Sequence, residues 1–282
     1  VDPVVYASSE SPEGPLSREQ LASYARDGFL FLPETFTLEE VAALRNEMDN
    51  LRNDSEVAAR EATITEPGSR DIRTVFEIHK VSRCFDSLSR DRRLAGVAKH
   101  ILDDEIYISQ SRLNYKPGFR GKEFYWHSDF ETWHTEDGMP RMRALSISVS
   151  LTDTHSVNGP LMVIPGSHRY YLSCVGETPE EHYKTSLKKQ DYGVPDDDSL
   201  SQLVRERGIA APAGPAGSVL IFDCNLMHGS NSNITPYPRS NAFFAYNAMS
   251  NRLGRPFGGM DPRPDFLAER RPVPLEESSL AA

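Results

Sequence analysis

The chain has 282 residues, with 31 Lys and Arg against 41 Asp and Glu, a formal net charge of −10 and a pI near 5.3. That length can bury a sizeable core in a single domain, and the acidic balance argues against a protein that works by gripping nucleic acid or an anionic membrane. Apolar runs such as 218–222 fall far short of the roughly twenty residues of a spanning helix, and the start of the chain lacks an apolar signal core, so a soluble, cytoplasmic protein is expected.

Residues 1–16 carry Pro, Ser and Glu without a sustained period and read as a mobile leader, and 17–282 as one domain. Ser17-x-x-Gln20 is a capping-box pattern, followed at helical spacing by Leu21, Tyr24 and Ala25 until Gly28 offers a stop. Phe29 to Leu32 predicts a buried strand ended by Pro33. A second capping box, Thr37-x-x-Glu40, opens a helix with Val41, Leu44, Met48 and Leu51 on one stripe. Residues 61–76 read as loop or weak strand and 91–102 as helix, so the 17–102 region is expected to supply helices that buttress a sheet.

From about 104 to 250, β character takes over, with strands predicted over 106–115, 124–130, 143–153, 159–164, 218–228 and 239–248. Many short strands after a helical N-terminal part predict a mainly β fold with flanking helices (α+β), built on a closed or double-sheet jelly roll. The polar stretch 173–212 interrupts the series and reads as a partly helical insertion over the barrel mouth, with a disordered excursion as the alternative. Gln110, Arg112 and Asn114 share one strand face, and Ser146, Ser148 and Ser150 share another, where small hydroxyls leave room for a ligand. Cys84, Cys174 and Cys224 form no C-x-x-C pair, which predicts free thiols.

The densest chemical signal is His127-Ser-Asp129 in an aromatic run, answered by His228 about a hundred residues later. If 124–130 is one strand, its two-residue repeat points His127 and Asp129 to the same face, and His228 can close the site. Two imidazoles and one carboxylate on one side of a metal suit non-haem Fe(II), which must still admit a cosubstrate and O2. The competing pair His134 and Glu136 lies beside turn formers and reads as a loop or an outer layer of the site. His79 and His100 lie outside the strand series, His155 and His182 lie in polar stretches where exposure is expected, and His168 shapes a turn.

The run from Phe124 to Ser146, with 158–168, 222–228 and 239–247, resembles the ectoine hydroxylases, a branch of the phytanoyl-CoA dioxygenase-like Fe(II)/2-oxoglutarate enzymes. The resemblance covers about 17–265. It implies a double-stranded β-helix (jelly roll, cupin-like) that hydroxylates ectoine to 5-hydroxyectoine while 2-oxoglutarate becomes succinate and CO2. Carried over by position, the iron ligands are His127, Asp129 and His228. Arg239, eleven residues beyond His228 (239 − 228), can hold the far carboxylate of 2-oxoglutarate bidentately. By resemblance Phe124, Ser148 and Asn114 complete that pocket. For ectoine, an amidinium with a carboxylate, the resemblance places Trp133 as an aromatic face beside Thr132. Gln110 and Asn241 would orient the ring, Phe243 would wall it and Arg263 would neutralise its carboxylate. The alternatives are an oxygenase for another small zwitterion, such as an amino acid, or a metal-binding jelly roll without catalysis. Ectoine is the expected partner, nucleic acid and membrane are not, and a homodimer is compatible with the chain.

Overall fold

Both predicted capping boxes form. Ser17 Oγ accepts from the Gln20 N–H while Gln20 returns its carbonyl to Ser17 N–H, opening helix α1 (Arg18–Asp27), which stops at Gly28 in the left-handed region (φ 79°). Thr37 and Glu40 do the same for α2 (Leu38–Asn53), whose Val41, Leu44, Met48 and Leu51 are buried. The computed structural model describes residues 14–65, 72–172 and 195–280. The proposed leader therefore lies outside the described residues except for 14–16, where Leu16 is buried.

Seven antiparallel strands make the large sheet, in the order β1-β8-β6-β10-β4-β3-β2. In chain order they are β1 (Phe29–Leu32), β2 (Thr63–Thr65), β3 (Ile72–Phe76), β4 (Ile106–Lys116), β6 (Ala144–Ser150), β8 (Val219–Asp223) and β10 (Arg239–Ala248). The small sheet is β5-β9-β7, from β5 (Phe124–His127), β7 (Leu161–Val163) and β9 (His228–Ser230). The 17–102 region thus lends three strands to the large sheet, β1 over the predicted Phe29–Leu32 strand and β2 and β3 within the stretch read as loop or weak strand.

Alternation along the large sheet sorts its faces. Leu113, Leu145, Ile147, Val149, Val219, Ile221, Ala242 and Phe244 pack in one apolar cluster with α1, α2 and the helices α3 (Ser55–Ala58), α4 (Ile78–Val81), α5 (Arg83–Arg90) and α6 (Val97–Leu102). The other face is polar and looks toward the small sheet. Register sets it in rows: Thr74, Asn114, Asn241 and Ser150 lie across one row, and Phe76, Arg112, Phe243 and Ser148 across the next. A side chain on that face can therefore reach its neighbours on the two flanking strands.

Two strand expectations are corrected. The 124–130 run ends as strand at His127, and Asp129 instead opens helix α7 (Asp129–Asp137) behind the N-cap Ser128. The 218–228 run is two strands in different sheets, separated where Asp223 Oδ1 accepts from Asn225 N–H in a tight turn. Within the insertion, helix α8 (Asp197–Arg207) lays Leu200 and Leu203 on Trp126, Ile164 and Met227, against the small sheet, and 173–194 lie outside the described residues with Cys174 and His182. Among the described residues no helix is long and apolar enough to cross a membrane, and Cys84 and Cys224 are free thiols.

Candidate metal centre

β5 and β9 pair with His127 opposite His228, so the two imidazoles sit with ring centroids 4.2 Å apart. Each ring is fixed from behind: His127 Nδ1 bonds the Tyr125 carbonyl at 2.7 Å, and His228 Nδ1 bonds the Leu226 carbonyl at 2.9 Å. A carbonyl only accepts, so each Nδ1 carries the proton and each Nε2 presents a lone pair. Asp129 Oδ1 lies 4.0 Å from His127 Nε2 and 3.9 Å from His228 Nε2. Three acceptor atoms thus converge, all within 4.8 Å of one another. With no proton to share, such a trio is a receptor for a cation at its centre, and its N, N, O donor set fits divalent iron.

The protonation states agree. Burial pushes His228 down to about 4, helped by the neighbouring His127, so it is a neutral ligand. Burial would raise the Asp129 carboxyl, but the imidazoles of His228 and His127, the Arg112 guanidinium and the Ser146 hydroxyl together hold it below its ordinary value. The Asp129 mount is rigid as well. It occupies the first position of α7, where the helix dipole favours an anion, and Phe130 N–H donates to the Cys224 carbonyl at 2.7 Å, tying that turn to the segment leading into His228.

These three side chains open onto a cavity of about 220 Å³ between the sheets. Gln110, Asn114, Phe124, Thr132, Trp133, Arg239, Asn241, Phe243 and Arg263 all line it, whereas Ser148 lies behind the wall, accepting from Asn241 Nδ2 at 3.1 Å. Arg239 is buried, and burial draws it down to about 10. Its Nη1 donates to Asn241 Oδ1 at 2.7 Å and its Nε has no partner, while none of the described carboxylates pairs with it. An unneutralised guanidinium in a cavity that three metal-binding side chains also line is a receptor for an anion.

Arg263 differs. It forks onto Asp137 at 2.8 and 2.6 Å, with Glu136 at 3.4 Å, so it already carries carboxylate partners from α7. Glu136 and His134 are helical rather than in a loop, and His134 stacks on Phe257 with ring centroids 4.1 Å apart. His100, without a role from the sequence, is buried, and His79, likewise without one, is half-buried and bonds Ser111 Oγ at 2.5 Å.

Three groups in or behind the cavity wall carry tasks that the sequence does not suggest. Lys116 stands directly opposite Arg239, and its Nζ donates to Ser230 Oγ at 2.9 Å and the Asn231 carbonyl at 2.6 Å. Burial, then the charge of Arg239, lower it to about 7. Its position two residues beyond Asn114 on the polar face was a readable signal. Arg112, noted for its face but given no task, donates to Gln110 Oε1 and lies 5.1 Å from the Phe243 ring centroid. Ser146, likewise noted only for its face, donates to Asp129 Oδ2 at 3.0 Å.

Residues 24–241 match the phytanoyl-CoA dioxygenase (PhyH) family. The ectoine dioxygenase of Sphingopyxis alaskensis is 59% identical over 270 residues, spanning 96% of this chain and 88% of that protein. That of Halomonas elongata is 52% identical over 267 residues, spanning 95% and 80% respectively. A crystal structure of EctD from S. alaskensis with 2-oxoglutarate and 5-hydroxyectoine matches with a TM-score of 0.89 at 53% identity, covering 100% of this chain and 94% of that one.

Proposed function

The chain belongs to the phytanoyl-CoA dioxygenase family, and on that premise we propose that it is an Fe(II)- and 2-oxoglutarate-dependent dioxygenase that hydroxylates ectoine to 5-hydroxyectoine with release of succinate and CO2. The observation that carries the proposal is the joint presence, in one cavity, of three convergent metal-binding atoms and the unneutralised Arg239. Iron held by His127, Asp129 and His228 would supply O2 activation, with 2-oxoglutarate as the two-electron donor. The protein's own task is then positioning, and no side chain need act as a general base.

Arg239 receives the far carboxylate of 2-oxoglutarate, with Lys116 as a second cation and Asn241 holding the guanidinium fork in place. Ser148 acts through Asn241. Asn114 spends its carbonyl on Thr74 Oγ1 at 3.1 Å, which leaves its NH2 for the ligand, and Phe124 lies 5.6 Å from the Lys116 ammonium. The side chain of His127, 33% exposed where His228 is 4%, marks the open flank of the metal position.

Ectoine would stack its amidinium on Trp133 beside Thr132 and rest on Phe243. Gln110 uses both ends of its amide, donating to the Leu267 carbonyl at 2.8 Å and accepting from Arg112, so it aims Arg112 at the substrate. Arg112 neutralises the substrate carboxylate, with Arg263, already forked onto Asp137, beside it in the cavity wall. The cytoplasm is the expected setting, because thiols such as Cys84 and Cys224 and ferrous iron stay reduced there.

The test is a mass spectrum. Ectoine incubated with the protein, Fe(II), 2-oxoglutarate and air should gain one oxygen atom as succinate accumulates, and His228→Ala should abolish both. Turnover retained in His228→Ala removes the metal assignment, and succinate formed with another zwitterion but not with ectoine transfers the enzyme to a different substrate.

A further inference from the structure

The two oxygens of Asp129 face different partners. Oδ1 is turned toward the Nε2 atoms of His127 and His228, at 4.0 and 3.9 Å, whereas Oδ2 accepts from Ser146 Oγ at 3.0 Å. Ser146 is buried on β6, a strand with hydrogen-bonded neighbours on both sides, opposite Phe222 on β8 and Ala245 on β10. The Phe222 ring in turn packs 4.9 Å from that of His228. The hydroxyl therefore stands on an interior strand of the large sheet and reaches across to a ligand carried by α7.

We infer that Ser146 is a positioning residue that occupies Oδ2 and so presents Asp129 to the metal through Oδ1 alone. The inference rests on the iron-dependent reading above. A carboxylate free to turn about its last bond can offer one ion both oxygens, and the second would take a place needed by the keto acid or by O2. Serine suits the task because its hydroxyl is short, and it sits at a position where neither neighbouring strand supplies a competing polar side chain. Among the described residues Ser146 is the hydrogen-bond donor to that oxygen.

The experiment compares Ser146→Ala, Ser146→Thr and Ser150→Ala in two readouts. The first is Fe(II) affinity, from anaerobic titration of the metal-free protein with 2-oxoglutarate present. The second is 5-hydroxyectoine formed per succinate released. Ser146→Ala should weaken Fe(II) binding about 10- to 100-fold and lower the product ratio. Ser146→Thr, which restores the hydroxyl, should recover most of both, and Ser150→Ala, on the same face but away from Asp129, should bind Fe(II) as the parent does. Parent-like affinity and product ratio in Ser146→Ala overturn the inference. So does equal weakening in the Ala and Thr variants at an unchanged melting temperature, since packing rather than the hydroxyl would then be at work. His228→Ala in the same titration separates this from a failure of the functional reading: if it binds Fe(II) like the parent, the metal assignment itself is wrong.

Discussion

Gly229 lies so close to Phe124 that a β-carbon on it would sit 3.0 Å from the Phe124 carbonyl oxygen, and 3.3 Å from the Trp126 nitrogen. This contact sets the gap between β5 and β9, and hence the spacing of His127 and His228. Gly229→Ala must push the strands apart by a few tenths of an ångström. It should cost about 1–3 kcal/mol in denaturant unfolding and weaken Fe(II) binding by about tenfold. Unchanged metal affinity would show that the ligand spacing is set elsewhere.

Lys116 should give 2-oxoglutarate use a pH dependence. Burial and Arg239 lower this ammonium to about 7, so its charge is present below that pH and lost above it, and a bound carboxylate favours the charged form. Cosubstrate KM should therefore rise as pH passes upward through about 7. Lys116→Met should raise KM about tenfold at low pH and flatten the profile, whereas Arg239→Ala, removing a cation that stays charged to about 10, should raise KM at every pH. A Lys116→Met profile as steep as the parent's excludes this role.

Arg263 should matter for folding as well as for ectoine. Asp137 is almost wholly buried, and removing its partner strands a carboxylate. Arg263→Met is expected to cost about 3–5 kcal/mol, and adding Asp137→Asn should return part of it, since the stranded charge is then gone. Additive costs in the double variant, measured by urea unfolding, would refute the pairing.

Acid should destabilise the protein through His79 and His168. Burial is the largest cause of depression in both, and each falls from 6.5 to about 4. Between those values the unfolded chain takes up protons that the folded chain refuses, so stability is full above 6.5 and declines as pH falls toward 4. Urea midpoints should fall across that window, less steeply in His79→Gln. An identical slope in the variant would mean that other groups govern the decline.

The sheet was readable because alternation records which face is buried: Gln110, Arg112 and Asn114, and the serines of β6, stood out as polar on a face that turned out to line or back the cavity. The first ligand pair does not lie on one strand. Asp129 joins His127 by a strand-to-helix turn rather than by a shared pleat, and Ser128-x-x-Glu131 already carried the helix-start pattern, Ser128 Oγ accepting from Glu131 N–H at 3.4 Å. The carboxylate partners of Arg263 were beyond local reading, because they stand 126 residues away in sequence and only tertiary packing joins them. Ser146 was legible as a face but not as a task, since its partner's orientation depends on α7.

The wall that Arg263 and Leu267 contribute is among the last parts of the described chain to leave the ribosome, whereas the final metal ligand, His228, emerges 35 residues earlier (263 − 228). Synthesis therefore completes the ion-binding trio before the chamber that receives the solute. A chain cut before residue 263 would keep all three ion-binding side chains yet lack the wall that Arg263 and Leu267 contribute.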